Sequence, residues 1–200
     1  EKKEISFIYP LICPHEVPDK RPPRIPFKLL TVLAQLEPIL KIKGIYQKAI
    51  HYLHKENQAE DLSLEEFEHR IHLAKNWITE MKMTISNEKD PQQVKKLKRK
   101  VVLFEIKEEL SEKILNRINE IQKQALKEFL QAIIAQDQLT NENVREIMME
   151  IREKIQISAT KIFQAFYLIL LGKKRGPRLG PLMEMLDKSW IEKRIQEAIS

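Results

Sequence analysis

Apolar residues recur every three or four positions along most of this chain, a spacing that predicts α-helices. Two such patterns, at residues 26–37 and 44–56, predict a first pair of helices, with Pro26 at a helix start that tolerates proline. A third helix is predicted to begin after Ser63, because Ser63 and Glu66 have the spacing of a capping box that satisfies free backbone N–H groups. Its apolar face is formed by Phe67, Ile71, Ala74, Ile78 and Met81.

The second half of the chain shows the same spacing over longer stretches. Residues 111–136 predict one long helix. A helix over residues 142–155 follows, capped by Thr140 or Asn141, and Ser158 caps a further apolar helix. Two short helical patterns close the chain, and no alternating strand pattern of any length is present. The apolar positions of the long pattern are Ile114, Leu115, Ile118, Ile121, Ala125, Phe129 and Ile133.

Three segments follow from these patterns. Residues 1–25 are a Pro-rich arm or linker, within which residues 6–12 predict a short strand or a packed arm. Residues 26–157 are predicted to form a helical bundle, and residues 158–200 a set of C-terminal helices with a basic corner. The predicted fold class is therefore all-α: a helical cage or irregular helix bundle with a Pro-rich N-terminal arm.

Composition argues against a disordered chain, a membrane-spanning protein and a disulfide-stabilised one. Hydrophobic residues make up 42% of the chain and charged residues 32%, so 200 residues suffice to bury a core. No apolar run reaches the length of about 18 residues that a membrane span needs. Cys13 is the single cysteine, and without a partner for an internal disulfide it favours a reducing, cytoplasmic location. The net charge of +6 permits a polyanionic partner without requiring one.

Glycine and proline concentrate at residues 172–181, a segment that we call the basic corner and that holds three of the four glycines. Gly172 follows an apolar run and is predicted to end a helix in the left-handed conformation that glycine adopts readily. The turns of the corner are assigned to Gly172, Gly176, Pro177, Gly180 and Pro181. Cations without an intervening acid stand beside the helix ends, which favours a phosphate-binding surface. They are Lys173, Lys174, Arg175 and Arg178.

Three stretches of the sequence carry a resemblance to a known family. They are RIPFKLLTVLAQL at residues 24–36, EFEHRIHLAKNWITEMK at residues 66–82 and AFYLILLGKKRGPRLGPLMEMLD at residues 165–187. In these motifs and in their order the chain resembles the C-terminal half of class I lysyl-tRNA synthetases, the archaeal and spirochaetal type. The third stretch resembles the end of glutamyl-tRNA synthetases more distantly. The HIGH-type and KMSKS-type nucleotide-binding motifs of the family are absent from these 200 residues.

The resemblance implies an anticodon-binding domain that recognises the anticodon stem-loop of tRNA(Lys). It implies that the ATP-dependent attachment of lysine to tRNA(Lys) belongs to a catalytic half of the same protein, joined through residues 1–25. This chain alone is then expected to be inactive in that ligase reaction, to hold no cofactor or catalytic residue, and to have no membrane partner. The predicted RNA-binding residues are Lys173, Lys174, Arg175, Arg178, Trp190, Lys193 and Arg194.

Other features are assigned mainly to packing or to solvent. Trp77 is predicted to pack in the core or at its rim, and Tyr167 in the core. Trp190, beside cations near the chain end, is a candidate for stacking on an unpaired base. The cations at residues 95–100 are predicted to be a solvated helix face. Two histidine pairs have a spacing compatible with metal ligation, but no cysteine pair or HExxH motif accompanies them, so no metal site is predicted. The pairs are His51 with His54 and His69 with His72.

Two alternative functions stay open at this point. The first is the equivalent domain of a glutamyl-tRNA synthetase. The second is a helical protein-interaction or scaffold module, in which the long helix at residues 111–136 lines a groove for a partner. Binding of tRNA that weakens with salt would separate the RNA-binding reading from the scaffold reading, because phosphate contacts release counterions.

Overall fold

The structure is a computed structural model that describes residues 24–55, 62–100, 102–106 and 109–200, without the side chains of residues 99 and 100. Within these ranges the chain forms nine helices and no strand, which confirms the all-α prediction. They are α1 (Phe27–Lys55), α2 (Leu64–Asn87), α3 (Pro91–Lys100), α4 (Glu112–Leu115), α5 (Glu120–Ile134), α6 (Asn141–Ile155), α7 (Ala159–Leu171), α8 (Leu179–Met185) and α9 (Lys188–Ile199). The predictions for residues 6–12 and Cys13 lie outside the described residues.

The first helix, α1, consists of two helical runs that meet at a break. Lys41 has φ 58° and ψ 170°, which no α-helix contains, and Pro38 lies one turn before it. Proline removes a backbone donor and crowds the preceding turn, so it weakens the helix at this point. The break falls between the two helices predicted at residues 26–37 and 44–56.

Side-chain caps begin the helices where the sequence predicts them. The Ser63 hydroxyl accepts a hydrogen bond from the backbone N–H of Glu66 at 3.1 Å. Thr140 rather than Asn141 caps α6, and its side chain and that of Asn143 bond each other's backbone N–H groups in a capping box. Ser158 caps α7 through its hydroxyl, which accepts from the backbone N–H of Lys161. These starts are therefore confirmed.

The prediction of one long helix over residues 111–136 is wrong. The chain leaves the helix after Leu115 and re-enters it at Glu120, so that α4 and α5 are separate. Asn119 is extended, with φ −85° and ψ 168°. Its side chain accepts from the N–H of Gln122 at 3.0 Å, and the Gln122 side chain accepts from the N–H of Asn119 at 3.2 Å. This capping box starts a new helix inside the apolar pattern.

The helices pack in two groups. In the first group α1 lies along α2, and α3 contacts α2. In the second group α5 to α9 surround a core in which the rings of Phe129 and Phe166 meet edge to face with centroids 4.7 Å apart. Helix α7 contacts both α5 and α6, so the packing crosses the predicted segment boundary at residues 157–158. In the described part of the chain, no helix is long and apolar enough to cross a membrane.

Ion pairs join the two groups, and one buried amide joins the first group to the segment at residues 102–106. The Lys55 ammonium lies 2.8 Å from the Glu184 carboxylate, and the Lys48 ammonium lies 3.9 Å from that of Asp187. Gln35 of α1 is 8% exposed and holds the segment at residues 102–106. Its Nε2 donates to the carbonyl of Val102 at 3.2 Å, and its Oε1 accepts from the N–H of Phe104 at 2.7 Å. The amide therefore sets the position of this segment against α1.

Candidate nucleic-acid interface

The basic corner folds back on the last turn of α7. Gly172 ends the helix with φ 64°, the left-handed conformation predicted for it. The Tyr167 hydroxyl donates to the carbonyl of Pro177 at 2.5 Å. A Cβ at Gly176 would clash with Leu171 Cδ1 and lie 2.9 Å from the Tyr167 ring, so any other residue there would have to displace these side chains. The corner is thus a defined turn that presents its side chains outward.

All four predicted cations of the corner are exposed, but they do not form one cluster. Lys173 and Arg175 line one groove, and Arg178 lines another. Lys174 is exposed beside them and lines neither. The corner is therefore a ridge between two basic grooves.

We call the first of these the arginine groove. It lies between α6, α7 and α8, has a volume of about 450 Å³ and receives Arg145 and Arg152 from α6 and Arg178 from the start of α8. Two large apolar side chains are left partly open to solvent there, with Phe163 41% exposed and Met149 52% exposed. The remaining lining residues are Asn141, Val144, Met148, Ala159, Ile162, Tyr167, Leu179, Gly180 and Pro181.

The arginine groove combines positive charge with an open aromatic face. Arg145 and Arg152 stand seven residues apart on α6, so both project to the same side of the helix. Within the described ranges none of the three lining arginines has an ion-pair partner, and no carboxylate lines the groove. Guanidinium groups can bind phosphate or base edges through paired N–H donors, and an exposed Phe163 ring offers a stacking face for a base.

We call the second the lysine groove. It has a volume of about 540 Å³ and is formed where α2, α3, the segment at residues 102–106 and the basic corner meet. The Lys173 ammonium donates to the carbonyl of Leu103 at 3.3 Å, which ties the corner to that segment. Its cations are Lys82, Lys98, Lys173 and Arg175, and the rest of its lining is Ile85, Val102, Leu103 and Gly176.

The three lysines of the cationic run at residues 95–100 whose side chains are described, Lys95, Lys96 and Lys98, are all exposed, as predicted for a solvated helix face. Lys95 and Lys96 are exposed and line neither groove. Lys98 instead lies in the lysine groove together with Lys173 of the basic corner. The sequence does not reveal this pairing, because the two residues are brought together only by the packing of α3 near the corner.

The C-terminal residues predicted to bind RNA lie on α9, outside both grooves. Arg194 is 2% exposed, which does not favour the RNA contact predicted for it. Its guanidinium lies 4.8 Å from the centroid of the Trp190 ring and 3.3 Å from the Glu197 carboxylate. Burial lowers the pKa of Arg194, and the negative charge of Glu197 opposes that change. Lys193 is exposed and Trp190 partly buried, and their RNA contacts stay predictions.

Two other assignments concern residues outside the grooves. Trp77 packs edge to face against Phe27 with ring centroids 4.8 Å apart, as expected for a packing role. Among the described side chains, no group of three histidine, cysteine, aspartate or glutamate residues could hold a metal ion.

Sequence reasoning missed five residues that line the grooves: Arg145, Arg152, Phe163, Lys82 and Lys98. One local signal was available, since Arg145, Met149 and Arg152 form a stripe on α6 away from its buried face. No local signal existed for Lys82, which is an ordinary exposed lysine along α2.

Comparison with known proteins gives matches over most of the chain. The family model described as anticodon binding domain matches residues 46–199, a range that contains every residue lining the two grooves. The lysine–tRNA ligase of Pyrococcus horikoshii is 28% identical over 196 residues, which cover 98% of this chain and 34% of that protein. Those of Methanocaldococcus jannaschii and Thermococcus kodakarensis are 25% and 26% identical, covering 97% and 98% of this chain. They too are matched over only 34% and 33% of their lengths, so the chain spans about a third of these curated relatives.

Proposed function

The chain belongs to the anticodon binding domain family, and we propose that it binds the anticodon stem-loop of tRNA(Lys) as the RNA-recognition part of a lysine–tRNA ligase. The observation that carries this proposal is the family match over residues 46–199, which encloses both basic grooves. The relatives' names support lysine as the amino acid. In this proposal a catalytic half of the same protein attaches lysine to the tRNA with ATP, and this chain contributes affinity and specificity.

We assign the reading of anticodon bases to the arginine groove. Single-stranded RNA loops are recognised by bases that leave the stack, lie against aromatic or guanidinium planes and are hydrogen-bonded at their edges. The groove offers the parts for this: an exposed Phe163 ring, Met149 beside it, and three guanidinium groups. Its volume of about 450 Å³ is in the range of a small-ligand cleft.

The two alternative functions have less support. The scaffold reading relied on one uninterrupted helix over residues 111–136, and that helix is broken at Asn119. The glutamyl-tRNA synthetase reading has no counterpart among the relatives described above, which are named as lysine–tRNA ligases.

The test is a comparison of two RNAs by fluorescence anisotropy. One is a stem-loop with a lysine anticodon, and the other is identical except for its three anticodon bases. We expect the chain to prefer the first RNA, and we expect Arg178→Ala to reduce that preference by about 1–3 kcal/mol, the usual value of one bidentate base contact.

Arg117→Ala is the charge-matched control, because Arg117 is exposed and lines neither groove. Equal affinity of the wild-type chain for both RNAs would contradict the assignment of anticodon recognition. Equal effects of Arg178→Ala and Arg117→Ala would contradict the placement of base reading in the arginine groove.

A further inference from the structure

We propose that the lysine groove is a second site, which binds the phosphodiester backbone of the RNA strand next to the anticodon bases without reading their sequence. The inference rests on the proposed function and adds a site to it. It is based on one observation: four cations from three separate parts of the chain line the same groove. They are Lys82, Lys98, Lys173 and Arg175.

The chemistry of the groove suits phosphate and does not suit a base. Within the described residues no carboxylate and no aromatic ring lines it, so nothing there repels an anion or stacks on a base. Three of its four cations are lysines, whose ammonium groups act as point charges on phosphate. The arginine groove differs in both respects, since its cations are arginines and it includes Phe163.

The cations of the lysine groove are not used in ion pairs. Among the described residues, none of the four has a carboxylate partner. Other lysines of the protein do, as shown by Lys55 with Glu184 at 2.8 Å and Lys154 with Glu128 at 2.6 Å. Like charges held near one another without counter-charges favour binding of an anion.

The groove also has a built floor. Gln35 holds the backbone of Val102 and Phe104 at 3.2 and 2.7 Å, and Lys173 bonds the carbonyl of Leu103 at 3.3 Å. Hydrogen bonds therefore link the corner to the segment at residues 102–106, and that segment to α1. These bonds restrain movement of the corner relative to α1.

One RNA strand can occupy both grooves. Gly176 lines the lysine groove and Arg178 lines the arginine groove, and two residues of extended chain span at most about 7 Å. The two grooves therefore approach within about 7 Å of each other at the corner, so a single strand that crosses the corner can contact both. Loss of lysine-groove cations should weaken binding equally whatever the anticodon.

The experiment titrates the stem-loop RNAs against the full chain at several salt concentrations. The variant is Lys82→Ala with Lys98→Ala, and the control is Lys43→Ala with Lys127→Ala, two exposed lysines that line neither groove. Circular dichroism checks that both fold. We expect the groove variant to lower the slope of log affinity against log salt by about 1.4, at 0.7 for each lost contact to a single strand. The preference for the lysine anticodon should be unchanged.

A second measurement identifies the phosphate. Methylphosphonate substitution, which removes the charge of one phosphate at a time, is made at each position of the loop. At one or more positions it should weaken binding to the wild-type chain and to the control but have no further effect on the groove variant.

Three outcomes would overturn the inference. The first is a salt slope of the groove variant equal to that of the control. The second is a loss of affinity in the groove variant that depends on the anticodon. The third is that methylphosphonate at every position weakens binding to the groove variant as much as it weakens binding to the wild-type chain. Any of these, with anticodon preference retained by the wild-type chain, refutes the lysine-groove site and leaves the proposed function standing. Loss of anticodon preference in the wild-type chain refutes the proposed function instead.

Discussion

Replacing Gln35 by leucine tests whether one buried amide holds the segment at residues 102–106 in place. The Gln35 side chain is 8% exposed and makes three hydrogen bonds to backbone groups. Nε2 donates to the carbonyls of Thr31 at 2.8 Å and Val102 at 3.2 Å, and Oε1 accepts from Phe104 N–H at 2.7 Å. Leucine keeps most of the volume but makes none of these bonds.

The expected cost comes mainly from the Phe104 N–H. Phe104 is 2% exposed, so its N–H would lose its acceptor in a place that water reaches poorly. An unsatisfied buried donor costs about 1–3 kcal/mol. The Val102 carbonyl contributes less, because Val102 is 44% exposed and water can replace the amide. We therefore expect Gln35→Leu to lower the free energy of unfolding by about 2 kcal/mol.

Thermal unfolding followed by circular dichroism measures this loss. In a chain of 200 residues, about 2 kcal/mol corresponds to a fall in Tm of about 4–8 °C. Gln47→Leu is the matched control, since Gln47 is an exposed glutamine of the same helix, and its change should be within about 0.5 kcal/mol. If the two variants melt together, the amide of Gln35 does not fix this segment.

Two further changes act at the basic corner. Gly172→Val should lower the free energy of unfolding by about 1–2 kcal/mol, because Gly172 has φ 64° and a β-branched residue resists the left-handed region. Gly172→Asn should lose much less, since asparagine tolerates this region. Urea unfolding measures both variants, and equal losses would contradict this reason. Tyr167→Phe removes the bond to the Pro177 carbonyl and should cost about 0.5–1.5 kcal/mol near neutral pH. Burial raises the pKa of Tyr167, so its folding advantage is complete below the unfolded value of about 10 and is lost as pH rises through the folded value. Urea unfolding of wild type and Tyr167→Phe should therefore converge at alkaline pH, and a difference that widens there would show that the sign is wrong.

Helix ends were predictable because their signals are local. The caps at Ser63, Thr140 and Ser158 depend on a side chain and a backbone N–H three residues away. The left-handed end at Gly172 depends on the absence of a Cβ. Such interactions are complete within one turn, so the sequence contains them in full.

The break at Asn119 had a local signal that the apolar pattern concealed. Asn119 and Gln122 have capping-box spacing. Helices α4 and α5 both pack on α7, so buried positions at Ile114 and Ile118 continue the spacing across the break. Apolar periodicity reports which side of the chain is buried, and it does not report whether the helix is continuous.

Part of the candidate site was also predictable from the sequence, and part was not. From the sequence alone, the positive charges of the basic corner and its tight turns could be located, because both are properties of neighbouring residues. Only the tertiary structure decided that Arg178 joins Arg145 and Arg152 in one groove while Lys173 and Arg175 join Lys82 and Lys98 in another. It also decided that Arg194 is buried against Trp190. Charges act through space rather than along the chain, so the partners of a cation depend on how the helices pack.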